Sequence, residues 1–412
     1  MGQWLSFTLR LAAIPLLLGA AAFIELKQPL PYFRLFTFTV VFFLLADIAS
    51  LARGKSRDFL LVLASLAFGI SLIEAGANFW EPRKADAAAP GAIGPKPIVG
   101  WGPDHAGRFH ALKKDPKTGA EVYSVDYTID QNLLRQTRSC ESGPTIVFFG
   151  CSYTFGDGVN DADTLPQQFA DLFDHKQRVL NLGFSGYGPQ QFLREIETGY
   201  FDSVIGAQST VFVFLTAAWH AERTACKSYW TALAPRYALE NDQVMFKGAC
   251  NEGMSLKLRQ WLENAATYRV AIEPFRHKLT RDDVELYIRV LLAAANLAKE
   301  KYGVATLIPY IQVSDDYLQG TGFSNETIMR RLREGGAIVL DVSLKKEQVE
   351  GAPISIVGDG HPTGFANRAR AIMLKTYIEG PMSHILPSLR KAEASQKSAP
   401  RTFSSETGPG SR

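Results

Sequence analysis

Three side chains in this sequence have the types needed to transfer an acyl group through a serine nucleophile. Ser152 follows an apolar run, and Asp359 and His361 stand two residues apart in "GDGHPTG". A serine hydroxyl is a poor nucleophile until a base takes its proton. His361 can be that base, while Asp359 accepts the other imidazole N–H and fixes the tautomer. Backbone N–H groups of Ser152 and of Gly186, in "NLGFSGYG", can stabilise the developing oxyanion.

Each of these residues also has an interpretation without chemistry. Ser152 can be an ordinary loop serine, Asp359 can cap the helix that follows, and His361 can be structural. The occurrence of all three together favours the catalytic interpretation. Cys151 is the alternative nucleophile, but neighbouring residues on an extended segment point in opposite directions. Ser152 is therefore the predicted nucleophile.

The elements that must position these residues alternate between strands and helices from residue 144 onward. The strands are continuous apolar runs, which is typical of strands buried on both faces of a parallel sheet. This pattern predicts a doubly wound, flavodoxin-like α/β domain with its active site at the carboxyl ends of the strands. The predicted strands are Thr145–Phe149, Val179–Leu182, Thr210–Leu215, Val304–Tyr310 and Ala337–Asp341. The predicted helices are Thr164–Asp174, Pro189–Tyr200, Arg281–Lys301, Asn325–Glu334 and Gly364–Ile378.

The order of the chemical blocks resembles a known superfamily. The α/β-hydrolase elbow G-x-S-x-G is excluded because Thr154 stands where its second glycine would be. Instead, "GCSYTFGDGV", "NLGFSGYG" and "GDGHPTG" resemble the blocks of SGNH (GDSL-like) hydrolases, in the variant common in membrane-anchored members. The resemblance covers roughly residues 143–378. It implies a Ser152–His361–Asp359 triad, an oxyanion N–H from Gly186, esterase or acyltransferase activity, and no metal or organic cofactor.

Two positions depart from that resemblance. Cys151 replaces the aspartate of the serine block, at a position that shapes the loop. After the third strand the family supplies an oxyanion asparagine, whereas "FLTAAWHAERTA" has Ala217–Trp219 there. An oxyanion donor contributes about 3 kcal/mol to transition-state stabilisation. His220 and Thr216 are the nearest candidates to replace it, and a structural role is the alternative for His220.

The first eighty residues contain three apolar runs, Phe7–Ile24, Pro31–Leu51 and Phe59–Ile73. A membrane-spanning helix needs about 20 such residues, so these runs predict three transmembrane helices. A signal peptide would explain one run only, and a buried helical bundle is the alternative. The basic loop "ARGKSRD" belongs in the cytoplasm by the positive-inside rule. The rest of the chain would then lie outside the cytoplasm, as the periplasmic domain of a multi-pass protein of a bacterial inner membrane.

The predicted organisation has four parts. Residues 1–80 form the membrane anchor, and residues 81–142 form a linker and a small β extension with a hairpin at "DPKTG". Residues 143–388 form the hydrolase-like domain, with an insertion at residues 226–279 that is either a lid or a wall of a binding cleft, or a satellite hydrophobic cluster. Residues 389–412 form a disordered tail.

Cysteine and histidine usage adds two expectations. Disulfides are allowed outside the cytoplasm, and Cys226 and Cys250 flank a polar stretch that they could bridge, although sequence cannot fix the connectivity. Cys140 and Cys151 lie at opposite ends of an extended segment, too far apart to bond. The two histidines of the β extension lack partners at metal-ligand spacing, so no metal site is predicted.

The formal net charge of +3 gives no electrostatic case for nucleic-acid binding. The sequence therefore predicts a membrane-anchored serine esterase that cleaves or transfers an acyl or acetyl ester on a cell-envelope glycan or lipid. Because three spans suit an anchor, a separate membrane protein would donate the acyl group in a transfer reaction. The alternative, motivated by the absent asparagine, is a hydrolase-fold protein of weak or no activity that binds envelope polysaccharide.

Overall fold

The computed structural model describes residues 12–20, 23, 33–81, 93–276 and 278–383 of the chain. These residues divide into two compact units. The N-terminal helical unit contains the N-terminal helices together with Cys226–Leu233 and Ala249–Leu279 of the insertion. The α/β unit contains the remaining described residues from residue 93 onward, including residues 234–248 of the insertion.

The strands are β1 Ile93–Lys96, β2 Gly100–Pro103, β3 Gly107–Lys114, β4 Glu121–Ile129, β5 Thr145–Gly150, β6 Arg178–Gly183, β7 Ser209–Phe214, β8 Thr216–Ala217, β9 Pro235–Glu240, β10 Gln243–Ala249, β11 Ala305–Ile311 and β12 Ile338–Asp341. The helices are α1 Phe33–Leu51, α2 Lys55–Trp80, α3 Ser152–Phe155, α4 Leu165–Leu172, α5 Pro189–Thr198, α6 Asp202–Ile205, α7 His220–Thr224, α8 Gly253–Glu263, α9 Ala266–Ala271, α10 Glu273–Arg276, α11 Arg281–Tyr302, α12 Asn325–Glu334, α13 Lys345–Val349 and α14 Gly364–Glu379.

Helices α1 and α2 form an antiparallel pair. The hydroxyls of Thr39 and Ser71 are hydrogen-bonded at 2.7 Å, and the rings of Phe42 and Phe68 lie 5.1 Å apart. Both helices are long and apolar enough to cross a membrane. Of the first predicted span, Phe7–Ile24, residues 12–20 are helical, and most of the rest lies outside the described residues.

The central sheet of the α/β unit has the strand order β12-β11-β7-β5-β6, and its ladders are parallel. In chain order this is 2-1-3-4-5, so the predicted flavodoxin-like doubly wound sheet is confirmed. The order reverses between β5 and β7, and ligands of such sheets bind at the carboxyl ends of the strands at this reversal point. Beyond Leu215 the third strand continues as β8, which pairs with β11. The sheet is therefore open between the ends of β5 and β8.

Apolar side chains of β5 pack on both faces of the sheet, as its continuous apolar sequence requires. Phe148 contacts Phe169 of α4, with ring centroids 5.2 Å apart. Phe149 points the other way and contacts Phe192 of α5 at 4.6 Å. Helices therefore cover both faces of the sheet and hold its carboxyl edge rigid.

The predicted strand and helix bounds in the α/β unit agree with the structure to within two residues at each end. The predicted hairpin of the β extension is also present, as the antiparallel pair β3–β4. The predicted tail and residues 82–92 of the predicted linker lie outside the described residues.

Candidate active site

Ser152 lies at the point where β5 ends and α3 begins. Its side chain is largely buried, with 6% of the residue exposed. The chain turns sharply here: Cys151 is extended, whereas residues 152–155 are helical. The first N–H groups of a helix have no acceptor within it, so the Ser152 N–H is suited to an oxyanion. The reversal of strand order between β5 and β7 brings the serine to the opening in the sheet.

The second block packs closely against the serine helix. The Asn181 side chain donates to the Thr154 carbonyl at 3.0 Å and accepts from the Gly183 N–H at 3.0 Å. A Cβ at Gly183 would lie 2.6 Å from the Phe155 nitrogen, so only glycine permits this approach. Gly186 has a φ of +84°, a left-handed conformation that favours glycine. The predicted oxyanion glycine thus belongs to a loop that is fixed against α3.

Asp359 and His361 form a hydrogen-bonded pair in the loop before α14. Asp359 Oδ2 lies 2.5 Å from His361 Nδ1 and accepts the His361 backbone N–H at 3.1 Å. The loop is closed by a hydrogen bond from the Ile356 N–H to the His361 carbonyl at 2.8 Å. Thr363, rather than Asp359, caps α14, because its hydroxyl accepts the Ala366 N–H. The aspartate is therefore available to orient the imidazole.

Tyr153 joins the serine block to the Asp–His block. Its hydroxyl donates to the Gly360 carbonyl at 3.0 Å, and its ring lies 5.5 Å from the imidazole of His361. No hydrogen bond between Ser152 Oγ and His361 Nε2 occurs among the described residues. Catalytic hydrogen bonds of this kind often tighten only when substrate is bound.

Lys113 of β3 is a site residue that the sequence analysis missed. Its Nζ lies 2.5 Å from Asp359 Oδ1, and the side chains are 17% and 3% exposed, respectively. Burial alone would raise the pKa of Asp359, but hydrogen bonds from His361 and Lys113 outweigh it and hold this pKa well below its usual value. Asp359 is therefore a carboxylate whose single negative charge is shared between Lys113 and, when it is protonated, His361.

Asp157 is a second missed residue. Both of its carboxylate oxygens accept from the Ser185 hydroxyl, at 2.9 and 2.8 Å, and its backbone N–H donates to the Ser152 carbonyl at 3.0 Å. Asp157 Oδ2 lies 4.0 Å from His361 Nε2. Burial raises the pKa of Asp157, and the neighbouring His361 opposes this shift. The imidazole thus lies between two carboxyl groups. The available signal for the second one was the aspartate in "GCSYTFGDGV".

The end of the third strand contains no asparagine, and its polar candidates bond to each other. His220 Nδ1 lies 2.7 Å from the Thr216 hydroxyl, which lies 3.0 Å from the Tyr287 hydroxyl. All three residues are buried. Burial, and secondarily Arg223, lower the pKa of His220 well below its usual value, so this histidine is neutral. These contacts favour a structural role for Thr216 and His220.

Cys226 and Cys250 form a disulfide within the N-terminal helical unit, while Cys140 and Cys151 are free thiols. In the β extension, His105 pairs with Asp104 and His110 with Asp126. No group of three metal-ligating side chains occurs in the part of the chain that the structure describes.

Comparison with known proteins gives matches among solved structures only. No family model and no curated protein matches the sequence. A protein from Slackia heliotrinireducens described as an SGNH hydrolase is 17% identical, covering 57% of this chain and 97% of its own, with a TM-score of 0.30. An acetylxylan esterase from Geobacillus stearothermophilus is 14% identical, and the match covers 58% of this chain and 95% of the esterase, with a TM-score of 0.32. A carbohydrate acetylesterase family member from Sinorhizobium meliloti is 9% identical, and the match covers 57% of this chain and 98% of that protein, with a TM-score of 0.32.

The first of these structures is of the superfamily that the three sequence blocks resemble. The fold of this chain is established by its own strand order. Its activity is argued from the site residues and not from these structures, whose TM-scores are 0.30 to 0.32. Fold and site together define a doubly wound α/β protein with a serine and an Asp–His pair at the carboxyl edge of its sheet. This is the arrangement that serine nucleophiles use for acyl transfer.

Proposed function

We propose that this protein is a membrane-anchored serine esterase or O-acyltransferase. The observation that carries the proposal is the hydrogen-bonded Asp359–His361 pair, which Tyr153 ties to the helix that begins with Ser152. The hydrogen bond between Tyr153 and Gly360 joins two blocks of sequence that are 207 residues apart. The blocks thus meet at the edge of the sheet where ligands bind.

The proposed reaction has two steps. Ser152 Oγ attacks the ester carbonyl carbon while its proton passes to His361 Nε2, and the N–H groups of Ser152 and Gly186 stabilise the oxyanion. The tetrahedral intermediate collapses, the alcohol leaves with the proton from His361, and an acyl-serine remains. Water, or the hydroxyl of an acceptor, then gives its proton to His361 and attacks the acyl-serine carbonyl carbon. The bond between Ser152 Oγ and the acyl carbon breaks, His361 returns the proton to Ser152 Oγ, and the carboxylic acid or the new ester leaves.

The proposed substrate is an acylated or acetylated glycan or lipid of the cell envelope. The two helices long enough to span a membrane support anchoring. The basic loop between them supports a catalytic domain outside the cytoplasm, and the Cys226–Cys250 disulfide is consistent with an oxidising compartment. In a transfer reaction, a separate membrane protein would supply the acyl group.

The test uses the full chain in lipid nanodiscs with p-nitrophenyl acetate as substrate. We expect turnover by the wild type and a loss of at least about a thousandfold in Ser152→Ala. Cys151→Ala is the matched control and should retain activity. A fluorophosphonate probe should label Ser152, as located by peptide mass spectrometry. Labelling of Cys151, or turnover that survives Ser152→Ala, would overturn the assignment.

A second candidate function is binding without turnover, which the alanines at the end of β8 favour. Ala217 and Ala218 are fully buried, and their methyl side chains have no hydrogen-bond donor to offer to an oxyanion. In this case the wild type would neither hydrolyse the ester nor react with the probe, yet would bind acetylated envelope polysaccharide in a pull-down assay.

A further inference from the structure

The insertion helices α8, α9 and α10 pack in the same compact unit as α1 and α2. Their attachment is polar and specific. Glu74 of α2 is 1% exposed and accepts from the backbone N–H groups of Ala266 and Thr267, at 2.6 and 2.9 Å. The Thr267 hydroxyl also donates to Glu74, at 2.7 Å. A buried carboxylate in an otherwise apolar helix is thus compensated by the start of α9.

Further contacts attach the insertion near the same end of the helix pair. Arg269 forms a bidentate ion pair with Glu81, with distances of 2.6 and 2.7 Å. The Arg34 guanidinium, near the start of α1, lies 4.7 Å from the ring centroid of Trp261 in α8. The insertion helices therefore pack beside the Trp80 end of α2, far from the basic loop at its Lys55 end.

The length of α2 places these contacts at a definite depth. At 1.5 Å per residue, Glu74 lies about 28 Å along the helix from Lys55. The hydrocarbon core of a bilayer is about 30 Å thick. If the basic loop marks one boundary of the core, Glu74 lies close to the other, which is the headgroup level.

The insertion helices expose an apolar surface at this level. Met254, Leu258 and Trp261 have the i, i+4, i+7 spacing of one helix face, and Arg259 is buried on the opposite side of α8. Ile272 and Phe275, further along the insertion, are also exposed apolar residues, and Phe275 is 81% exposed. Lysines 257 and 278 are exposed nearby. We call these five apolar residues the insertion face.

We propose that the insertion face is embedded in the outer headgroup region of the lipid bilayer in which α1 and α2 are anchored. The argument is continuity: the large apolar side chains of α2, such as Ile73, Phe79 and Trp80, are themselves exposed and lead to the level of the insertion. Exposed apolar side chains can enter the region where lipid headgroups meet acyl chains, and lysines beside them can contact the lipid phosphates. The inference rests on the proposed anchoring and is independent of the proposed chemistry.

The experiment measures lipid contact at single sites of the full chain in nanodiscs of phosphatidylethanolamine and phosphatidylglycerol. A Cys140→Ser background removes the more accessible free thiol. Met254→Cys and Phe275→Cys carry the fluorophore NBD, and lipids with a spin label near the headgroup serve as quenchers. Gln260→Cys, exposed on the flank of the same helix, is the matched control. Leu66→Cys, exposed in the middle of α2, reports on the anchor itself.

We expect quenching at positions 254 and 275 to exceed that at position 260 by at least about twofold. Position 66 should be quenched best by lipids labelled deep in the acyl chain. If position 66 is quenched but positions 254 and 275 match position 260, the inference is wrong and the anchor stands. If position 66 is not quenched either, the proposed anchoring is wrong as well. The proposal would also be refuted if positions 254 and 275 were shielded from solvent only after native membrane extract was added, because a protein partner would then cover the insertion face.

Discussion

The ion pair between Lys113 and Asp359 makes a quantitative prediction about the base of the triad. Replacing Lys113 by methionine removes a cation while preserving most of the side-chain volume. Lys113 Nζ contacts one oxygen of the Asp359 carboxylate and His361 Nδ1 contacts the other, each at 2.5 Å. The removed charge therefore lies within about 7 Å of the imidazole.

The magnitude follows from Coulomb's law. At about 7 Å the interaction between two unit charges is about 0.6 kcal/mol in water and about 2.4 kcal/mol at an effective dielectric constant of about 20. The pair is largely buried, so the value lies between these limits. Lys113 repels an imidazolium, so its removal favours the protonated, inactive form of the base. The acid limb of the activity profile should move to higher pH by about 0.5 to 1.5 units.

The assay is the pH dependence of kcat/KM on p-nitrophenyl acetate for the full chain in nanodiscs. The rate of fluorophosphonate labelling gives the same profile without turnover. Lys114→Met, which changes the exposed neighbouring lysine, is the control and should leave the limb in place. An unmoved acid limb in Lys113→Met, or a shift to lower pH, would refute the electrostatic reasoning.

Three further predictions concern other parts of the molecule. Burial raises the pKa of Asp157, so its ionisation costs stability as pH rises above about 4. The melting temperature of Asp157→Asn should therefore increase relative to that of the wild type between about pH 4 and pH 7. An equal difference in melting temperature at the two pH values would contradict this. Replacing Cys226 and Cys250 by serine should lower the free energy of unfolding by about 3 kcal/mol, measured by thermal unfolding, and a reductant should then have no further effect. Glu74→Ala leaves the N–H groups at the start of α9 without their acceptor and should lower the stability of the insertion by about 1–3 kcal/mol. The insertion should then be cleaved faster by proteases. Asp58→Ala, at the other end of α2, is the control and should not change the rate of cleavage.

The sheet and its order could be predicted because the pattern is local. Runs such as "IVFF" are apolar at every position, which is typical of a strand buried on both faces. Asp359 and His361 could be paired for the same reason, since they lie two residues apart and a tight loop suffices to join them.

The missed residues depend on contacts between distant parts of the chain. Lys113 reaches Asp359 across 246 residues, from a hairpin whose alternating sequence gave no sign of where it would pack. The grouping of the insertion with α2 likewise depends on hydrogen bonds between Glu74 and Thr267, 193 residues apart. The sequence of the insertion alone was equally consistent with a cleft wall.

The hydrogen bond from Tyr153 to Gly360 has a mechanical consequence. Tyr153 follows Ser152 directly, and Gly360 directly precedes His361, so a single rigid phenol links the neighbours of nucleophile and base. The hydrogen bond limits how far the two loops can separate, and so restrains the spacing between the nucleophile and the base.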